Sequence, residues 1–361
     1  MILLALDWGL LGEKLTLVVI IVSVSLVIAM YETYAERKIA AFIQDRIGPN
    51  RAGPFGILQP LADGLKLFMK EEIIPNTSNK FLFILGPCLA MMTAMMTSAV
   101  IPWGSPFHVD IKWLHLDRVV NLQIADINIG ILYIFGVVSL GVYGIMIGGW
   151  ASNNKFSLIA ALRGASQMIS YELAMGISLI ALLMLTGSLS MKTIVEQQML
   201  RGVWNVFYQP LGFLIFVICA FAECNRTPFD LPEAENELNF GYHQEYSSMK
   251  LGFYLFAEYI NMFISSAIMS TLFFGGYDIP FVNDAALGQH IGSWLPVLQF
   301  LCLFAKIAGF IFLFMWVRWT IPRFRYDQLM NLGWKKLVPL ALVNMIITGA
   351  VILFVKNGWP F

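Results

Sequence analysis

Hydrophobic residues in this chain come in long blocks, with polar residues gathered between them. Eight stretches are free or nearly free of Asp, Glu, Lys and Arg: 15–31, 81–103, 127–150, 173–191, 202–222, 251–277, 295–317 and 337–355. A bilayer core of about 30 Å takes about 20 apolar residues of helix. The pattern therefore predicts an all-α polytopic membrane protein with about eight transmembrane helices, a single integral membrane domain over 1–361. The sixth run contains Glu258, the seventh contains Lys306, and Glu172 opens the fourth. Asp7, Glu13 and Lys14 precede the first run and Glu32, Glu36 and Arg37 follow it without a small-residue cleavage site, so it reads as an uncleaved span.

The connections set orientation. Lys and Arg number seven in 36–80, two in 151–170, two in 223–250 and five in 318–336, against six on the opposite side. The positive-inside trend then puts these four connections in the cytoplasm or matrix and both termini on the other, periplasmic, face. Length and an uncleaved first span suit a bacterial inner membrane.

Polar patterning within the inner connections is distinctive. Segment 45–56 crowds Gly48, Pro49, Gly53, Pro54 and Gly56 among Arg46, Asn50 and Arg51, which breaks any helix. From 57 to 71, Leu58, Leu61, Ala62, Leu65, Phe68 and Met69 recur at helical spacing, with Gln59, Asp63, Lys66 and Lys70 on another face. This amphipathic helix is either an interfacial anchor or one wall of a cavity entered from the membrane; Arg37, Arg46, Asp63 and Lys66 bring more charge than an anchor needs.

Segment 223–250 carries six acids, Glu223, Asp230, Glu233, Glu235, Glu237 and Glu245, against Arg226 and Lys250. Asp230, Pro232 and Glu233 resemble a helix start that would set Glu233 and Glu237 on one face. Carboxylates held close together in a low dielectric hold and pass protons near neutral pH; a solvated acidic loop is the alternative. Ionisable residues in hydrocarbon are costly and mark function by default, so Glu172, Glu258 and Lys306 extend a polar track into the membrane, although Glu258 with Lys306 would also serve as a structural pair. In 318–336, Arg323, Arg325 and Asp327, with Arg318, are placed to brace the acidic loop or a peripheral protein, while Lys335 and Lys336 suit snorkelling anchors.

Composition narrows the chemistry. Apolar residues make up 58% and charged residues 13%, with mean hydropathy +0.72, about half the charge of a soluble domain. Lys plus Arg and Asp plus Glu are 23 each, which gives no basic excess for nucleic acid. Cys88, Cys219, Cys224 and Cys302 lie in or beside apolar runs without a CxxC pair, and His108, His115, His243 and His290 fall mostly in connections. These positions suit buried thiols better than disulfides, zinc, iron-sulfur clusters or haem, and predict no metal site and no redox chemistry on this chain.

Four long motifs, ERKIAAFIQDRIGPNRAGPFGILQPLADGLKLFMKE, GWASNNKFSLIAALRGASQMISYE, ECNRTPFDLPEAENEL with GYHQEYS, and PRFRYDQLMNLGWK, closely resemble the family of H subunits of bacterial NADH-quinone oxidoreductase, counterparts of subunit 1 of mitochondrial complex I. The likeness runs through about 36–340, with departures at Cys224, Asn239-Phe240, His243-Gln244 and Lys250. It implies an eight-span subunit under the peripheral arm, whose inner loops form the mouth and lower part of a quinone chamber. Flavin and iron-sulfur clusters would sit in partner subunits, and none would be bound here. Glu36, Arg37, Arg46 and Asp63 would line the quinone passage, and Lys66, Arg226 and Phe229 are placed with them. Glu172, Glu223, Glu233, Glu235, Glu237, Glu245 and Glu258 would form the channel toward antiporter-like pumping subunits, with Asp230 and Lys306 assigned to the same track. The quinone, ubiquinone or menaquinone, stays open, as do two other classes: the membrane anchor of an energy-converting hydrogenase-type complex, and an autonomous transporter, whose repeated halves with broken helices are not evident.

Overall fold

The computed structural model describes residues 8–111, 116–280 and 294–356. Its helices are α1 (Trp8–Ile43), α2 (Gln59–Met69), α3 (Lys80–Thr97), α4 (Gly130–Ala151), α5 (Lys155–Thr186), α6 (Met191–Arg201), α7 (Asn205–Tyr208), α8 (Pro210–Glu223), α9 (Glu235–Leu238), α10 (Ser248–Phe273), α11 (Leu295–Thr320), α12 (Tyr326–Asn331) and α13 (Val338–Lys356), the last two joined by a π-helical turn, Leu332–Leu337. Seven of the described helical stretches are long and apolar enough to cross a membrane. Large apolar side chains such as Val19, Ile20, Ile346 and Leu353 remain exposed on them, as lipid contact requires.

The predicted fifth span departs from a single rod. Gln209 leaves helical geometry at φ −131°, ψ 57°, and Pro210 starts α8, which has only 14 residues. Proline has no N–H and its ring collides with the preceding turn, so it opens a helix and does not continue one. At 1.5 Å per residue α8 is about 21 Å long, short of a bilayer by itself. Uniform apolarity over 202–222 hid the break. The polar group exposed by it is satisfied by α13: Gln209 Nε2 donates to Thr348 Oγ1 at 2.7 Å and Asn344 Nδ2 donates to Gln209 Oε1 at 3.0 Å.

Two helices outrun their apolar cores. α1 continues to Ile43 and carries Glu32, Glu36 and Arg37 as helical residues. α5 begins at Lys155, which turns most of the expected 151–170 connection into helix and moves Glu172 from a helix start to mid-helix. The expected amphipathic helix is present as α2, somewhat shorter than 57–71. Before it, Asp45, Gly53, Phe55 and Gly56 adopt positive φ; a Cβ on Gly56 would lie 2.2 Å from the Pro49 carbonyl oxygen, so only glycine closes this loop. On the opposite side, β1 (Phe107–Ile111) and β2 (Leu116–Val120) pair antiparallel, Phe107 opposite Val120, a hairpin the long apolar pattern did not announce.

α10 is central: it packs on α1, α2, α3 and α11, and 61% of its apolar window is buried, against 28% or less in α1, α11 and α13. α4 packs closely on α3 and α5, and α5 on α8 and α13. The α3–α4 approach depends on glycine, since a Cβ on Gly144 would fall 2.9 Å from Ala90 N and 3.1 Å from Gly86 O. Small residues let helix backbones meet where lipid offers no hydrophobic drive.

Candidate functional site

Three polar regions stack around the N-terminal half of α10. The first is a cleft at α2. Arg37 Nη1 lies 2.7 Å from Asp63 Oδ2, and Gln59 Nε2 donates to Asp63 Oδ1 at 3.2 Å. Arg37, Asp63 and Lys66 share this cleft of about 210 Å³ with Met30, Leu255, Phe256 and Tyr259. Apolar walls with a few charges at one rim suit an amphiphile with a polar head. Arg46 stands apart: it is exposed, with Nε donating to Gln44 Oε1 at 2.7 Å.

The second region is a buried ion cluster behind Tyr259. Glu36 is buried and receives a 2.8 Å hydrogen bond from Tyr259 Oη. Its carboxylate pairs with Arg226 Nη1 at 3.6 Å and with Arg318, and the Arg226 guanidinium lies 4.1 Å from the Tyr259 ring centroid. One acid thus joins α1, α10, α11 and the 224–234 segment. Burial works against the charge of Arg226, but Tyr259, Glu36, Glu258 and Glu233 outweigh it and push its pKa well above the usual value, so the guanidinium is permanently charged. A buried charge survives only when paired in this way.

The 224–234 segment is held by side chains because it forms no long helix of its own. Gln167 Nε2 donates to the carbonyls of Ala222 (2.8 Å) and Phe229 (2.7 Å). Phe229 is buried against Tyr171 and Phe324 at ring distances of 5.3 and 5.5 Å, so it packs the loop and does not face the cleft. Arg323 Nη2 meets Asp230 Oδ2 at 2.7 Å, a contact between the 318–336 connection and the acidic segment; Arg325 and Asp327 are exposed at the start of α12. The helix expected from Asp230 is instead a turn, and only Glu235–Leu238 is helical. Ala234 at positive φ interrupts it.

The third region is a small cavity of about 50 Å³ among α3, α4, α5 and α10, bordered by Thr93, Thr97, Glu223, Asn225, Tyr242, Glu258 and Ser265, with room for a few water molecules. Tyr242 Oη donates to Glu258 at 3.1 Å, and burial first, then the Glu258 charge, raises the Tyr242 pKa well above its ordinary value. Asp230 and Glu233 act on Glu258 through their charges, and Glu172 on Glu223. Glu172 itself accepts from Ser139. Glu237 and Glu245 lie elsewhere: Glu237 is exposed and pairs with Arg163 at 2.8 Å, while Glu245 accepts from Asn154 Nδ2 at 2.8 Å beside the start of α5. The side chain of Glu235 lies outside the described residues.

Lys306 also stands apart from this track. Its Nζ donates to the carbonyls of Phe274 (2.7 Å), Gly276 (2.8 Å) and Asp278 (2.6 Å) beyond the end of α10, engaging all three ammonium donors. Glu258 is 16 residues before Phe274, about 24 Å along the helix, so Glu258 and Lys306 are not a pair. Glu32, Gln167, Tyr242 and Tyr259 were not singled out by sequence reasoning. Tyr242 lies within GYHQEYS and Glu32 one turn before the ERK motif, but nothing local marks either as buried. Among the described residues, no three His, Cys, Asp or Glu side chains group as metal ligands would.

Fold and site together define an all-α membrane protein with a charge-rimmed apolar cleft and buried carboxyls held against arginines. The chain matches the NADH dehydrogenase family over residues 15–349. It is 67% identical to the NADH-quinone oxidoreductase H subunit numbered 1 of Cytophaga hutchinsonii over 94% of this chain and 97% of that one. It is 64% identical to the corresponding H subunit of Flavobacterium johnsoniae over 94% and 95%, and 47% identical to the H subunit numbered 2 of Geobacter sulfurreducens over 97% and 99%. The chain belongs to the NADH dehydrogenase family.

Proposed function

We propose that this chain is the H-type membrane subunit of a proton-translocating NADH:quinone oxidoreductase, forming the quinone passage and passing the effect of quinone reduction to pumping subunits. The supporting observation is Tyr259, which borders the α2 cleft and donates to Glu36 in the buried cluster. A lipid quinone enters from the bilayer along α2, its head meeting Arg37, Asp63 and Lys66 and its tail the apolar wall.

Reduction to quinol takes up two electrons and two protons. The electrons come from flavin and iron-sulfur clusters in peripheral-arm partner subunits, and this chain contributes charge and protons. Arg226, held by Glu36, is the cation between the cleft and the carboxyl cavity. A change of charge in the passage acts through it on Glu258 and Glu233, and onward through Glu223 and Glu172 toward antiporter-like partners. Carboxyls coupled in a low dielectric redistribute protons together. The inner face would carry the peripheral arm, with both termini periplasmic in a bacterial inner membrane.

Glu233→Gln and Glu258→Gln test the reading in assembled complex reconstituted into vesicles. Both changes are expected to lower proton pumping and slow quinone turnover together. Normal assembly with unaltered turnover and unaltered pumping in both would overturn it.

A further inference from the structure

Glu32 has no part in the roles assigned so far, yet it is 4% exposed and neither carboxyl oxygen has a hydrogen-bond partner. It precedes Glu36 by four residues on α1, and positions four apart share a helix face, so both carboxyls enter the same interior. The titratable groups facing it are Glu36 from its own helix and Arg226 and Cys224 from the following segment. Tyr259 of α10 and Arg318 of α11 face the pair through Glu36. Arg226 touches Glu36 only through Nη1, at 3.6 Å, and its Nε and Nη2 are buried without a hydrogen-bond partner. An unsatisfied acid one turn before Glu36 and two unsatisfied nitrogens on the guanidinium that touches Glu36 are therefore both buried around that carboxylate, where each is strongly disfavoured without a partner.

The charges count in the same direction. Arg226 and Arg318 supply two positive charges and Glu36 one negative. The cluster is neutral with Glu32 ionised and carries one positive charge with Glu32 protonated. Cys224 Sγ lies 3.4 Å from Ser265 Oγ, and Ser265 and Asn225 border the cavity of Glu223 and Glu258, so the short segment that carries Arg226 also reaches that cavity.

We propose that Glu32 is a proton-holding residue of this subunit: it keeps a proton while Arg226 leans on Glu36, and on releasing it takes up the free edge of Arg226. This rests on the quinone-passage reading given above. In the step, the O–H bond of Glu32 breaks, the proton passes to an oxygen of reduced quinone on the passage side, and no electron moves on this chain. The Arg226 shift carries the change to the cavity, from which Glu32 is reprotonated.

The test uses assembled complex in vesicles carrying Glu32→Gln, Glu32→Asp or, in parallel, Glu258→Gln, with turnover, pumping and infrared difference spectra between oxidised and NADH-reduced states. Glu32→Gln is expected to lower coupled quinone turnover several-fold and to remove one carboxylic-acid C=O band. Glu32→Asp is expected to keep that band, shifted, and to restore part of the rate. An unchanged rate, or a lowered rate with an unchanged band, would overturn the proposal. If Glu258→Gln still lowers pumping in that series, only the role of Glu32 falls; if Glu258→Gln is also silent, the passage reading falls with it.

Discussion

Tyr259 donates a 2.8 Å hydrogen bond to Glu36 across the α10–α1 contact, with Arg226 lying against the same tyrosine ring. The phenol therefore does two separable things, satisfying an acid and carrying a cation on its face. Tyr259→Phe removes the first and keeps most of the second. Losing a hydrogen bond to a charged group leaves a Glu36 oxygen short of a partner at a cost of about 1.5 to 3 kcal/mol to the cluster, so quinone turnover is expected to fall, while NADH oxidation by a water-soluble acceptor is retained. Steady-state rates with the two acceptors, measured on one preparation, decide the matter.

Asp63 holds Arg37 and Gln59 at the rim of the α2 cleft. Replacing it with Leu or Phe removes that anchor and fills the cleft with apolar bulk. Long-tailed quinones are expected to be slowed more than short-tailed ones, and comparing kcat/KM along a tail-length series checks it. Equal slowing at every length would place the obstruction away from the passage.

Arg323 pairs with Asp230, whose carboxylate is 2% exposed whereas Arg323 is about one-third exposed. Removing one member of a buried pair is more damaging than replacing both, and the exposure of Arg323 reduces the effect. Arg323→Ala should loosen the 224–247 segment by about 2 kcal/mol, read as faster amide exchange there. Adding Asp230→Asn should recover much of it.

Burial lowers the pKa of His243 from 6.5 to about 4. The folded chain then binds fewer protons than the unfolded chain between those values, so stability rises with pH across that window. It is fully present above about pH 6.5 and is lost progressively as pH falls toward 4, by about 3 kcal/mol at 1.36 kcal/mol per unit. Thermal unfolding in detergent between pH 4 and 7.5 should show this slope, and His243→Phe should flatten it.

Gly144→Ala probes the helix contact directly. The new methyl group would press on the α3 backbone at Ala90 and Gly86, which cannot yield as a side chain does. Forced overpacking costs about 1 to 3 kcal/mol, so the thermal midpoint of the purified subunit should fall, whereas Gly136→Ala, with open space around its position, should leave it unchanged.

The amino-acid sequence by itself determined the class of fold, because runs of apolar residues near bilayer length leave helices as the only way to satisfy the backbone. It also determined α2, whose 3.6-residue periodicity is local, and the clustering of acids over 223–250. Tertiary structure decided which of those charges meet. Glu36, Arg226, Arg318 and Tyr259 are up to 282 residues apart in sequence and converge only because α10 runs against both α1 and α11. By the same logic Glu237 and Glu245, close neighbours of Glu233 in the chain, turn outward to Arg163 and Asn154. The break at Gln209 and the burial of Glu32 were likewise invisible in a composition window, since a kink depends on one residue and burial on which helices pack around it.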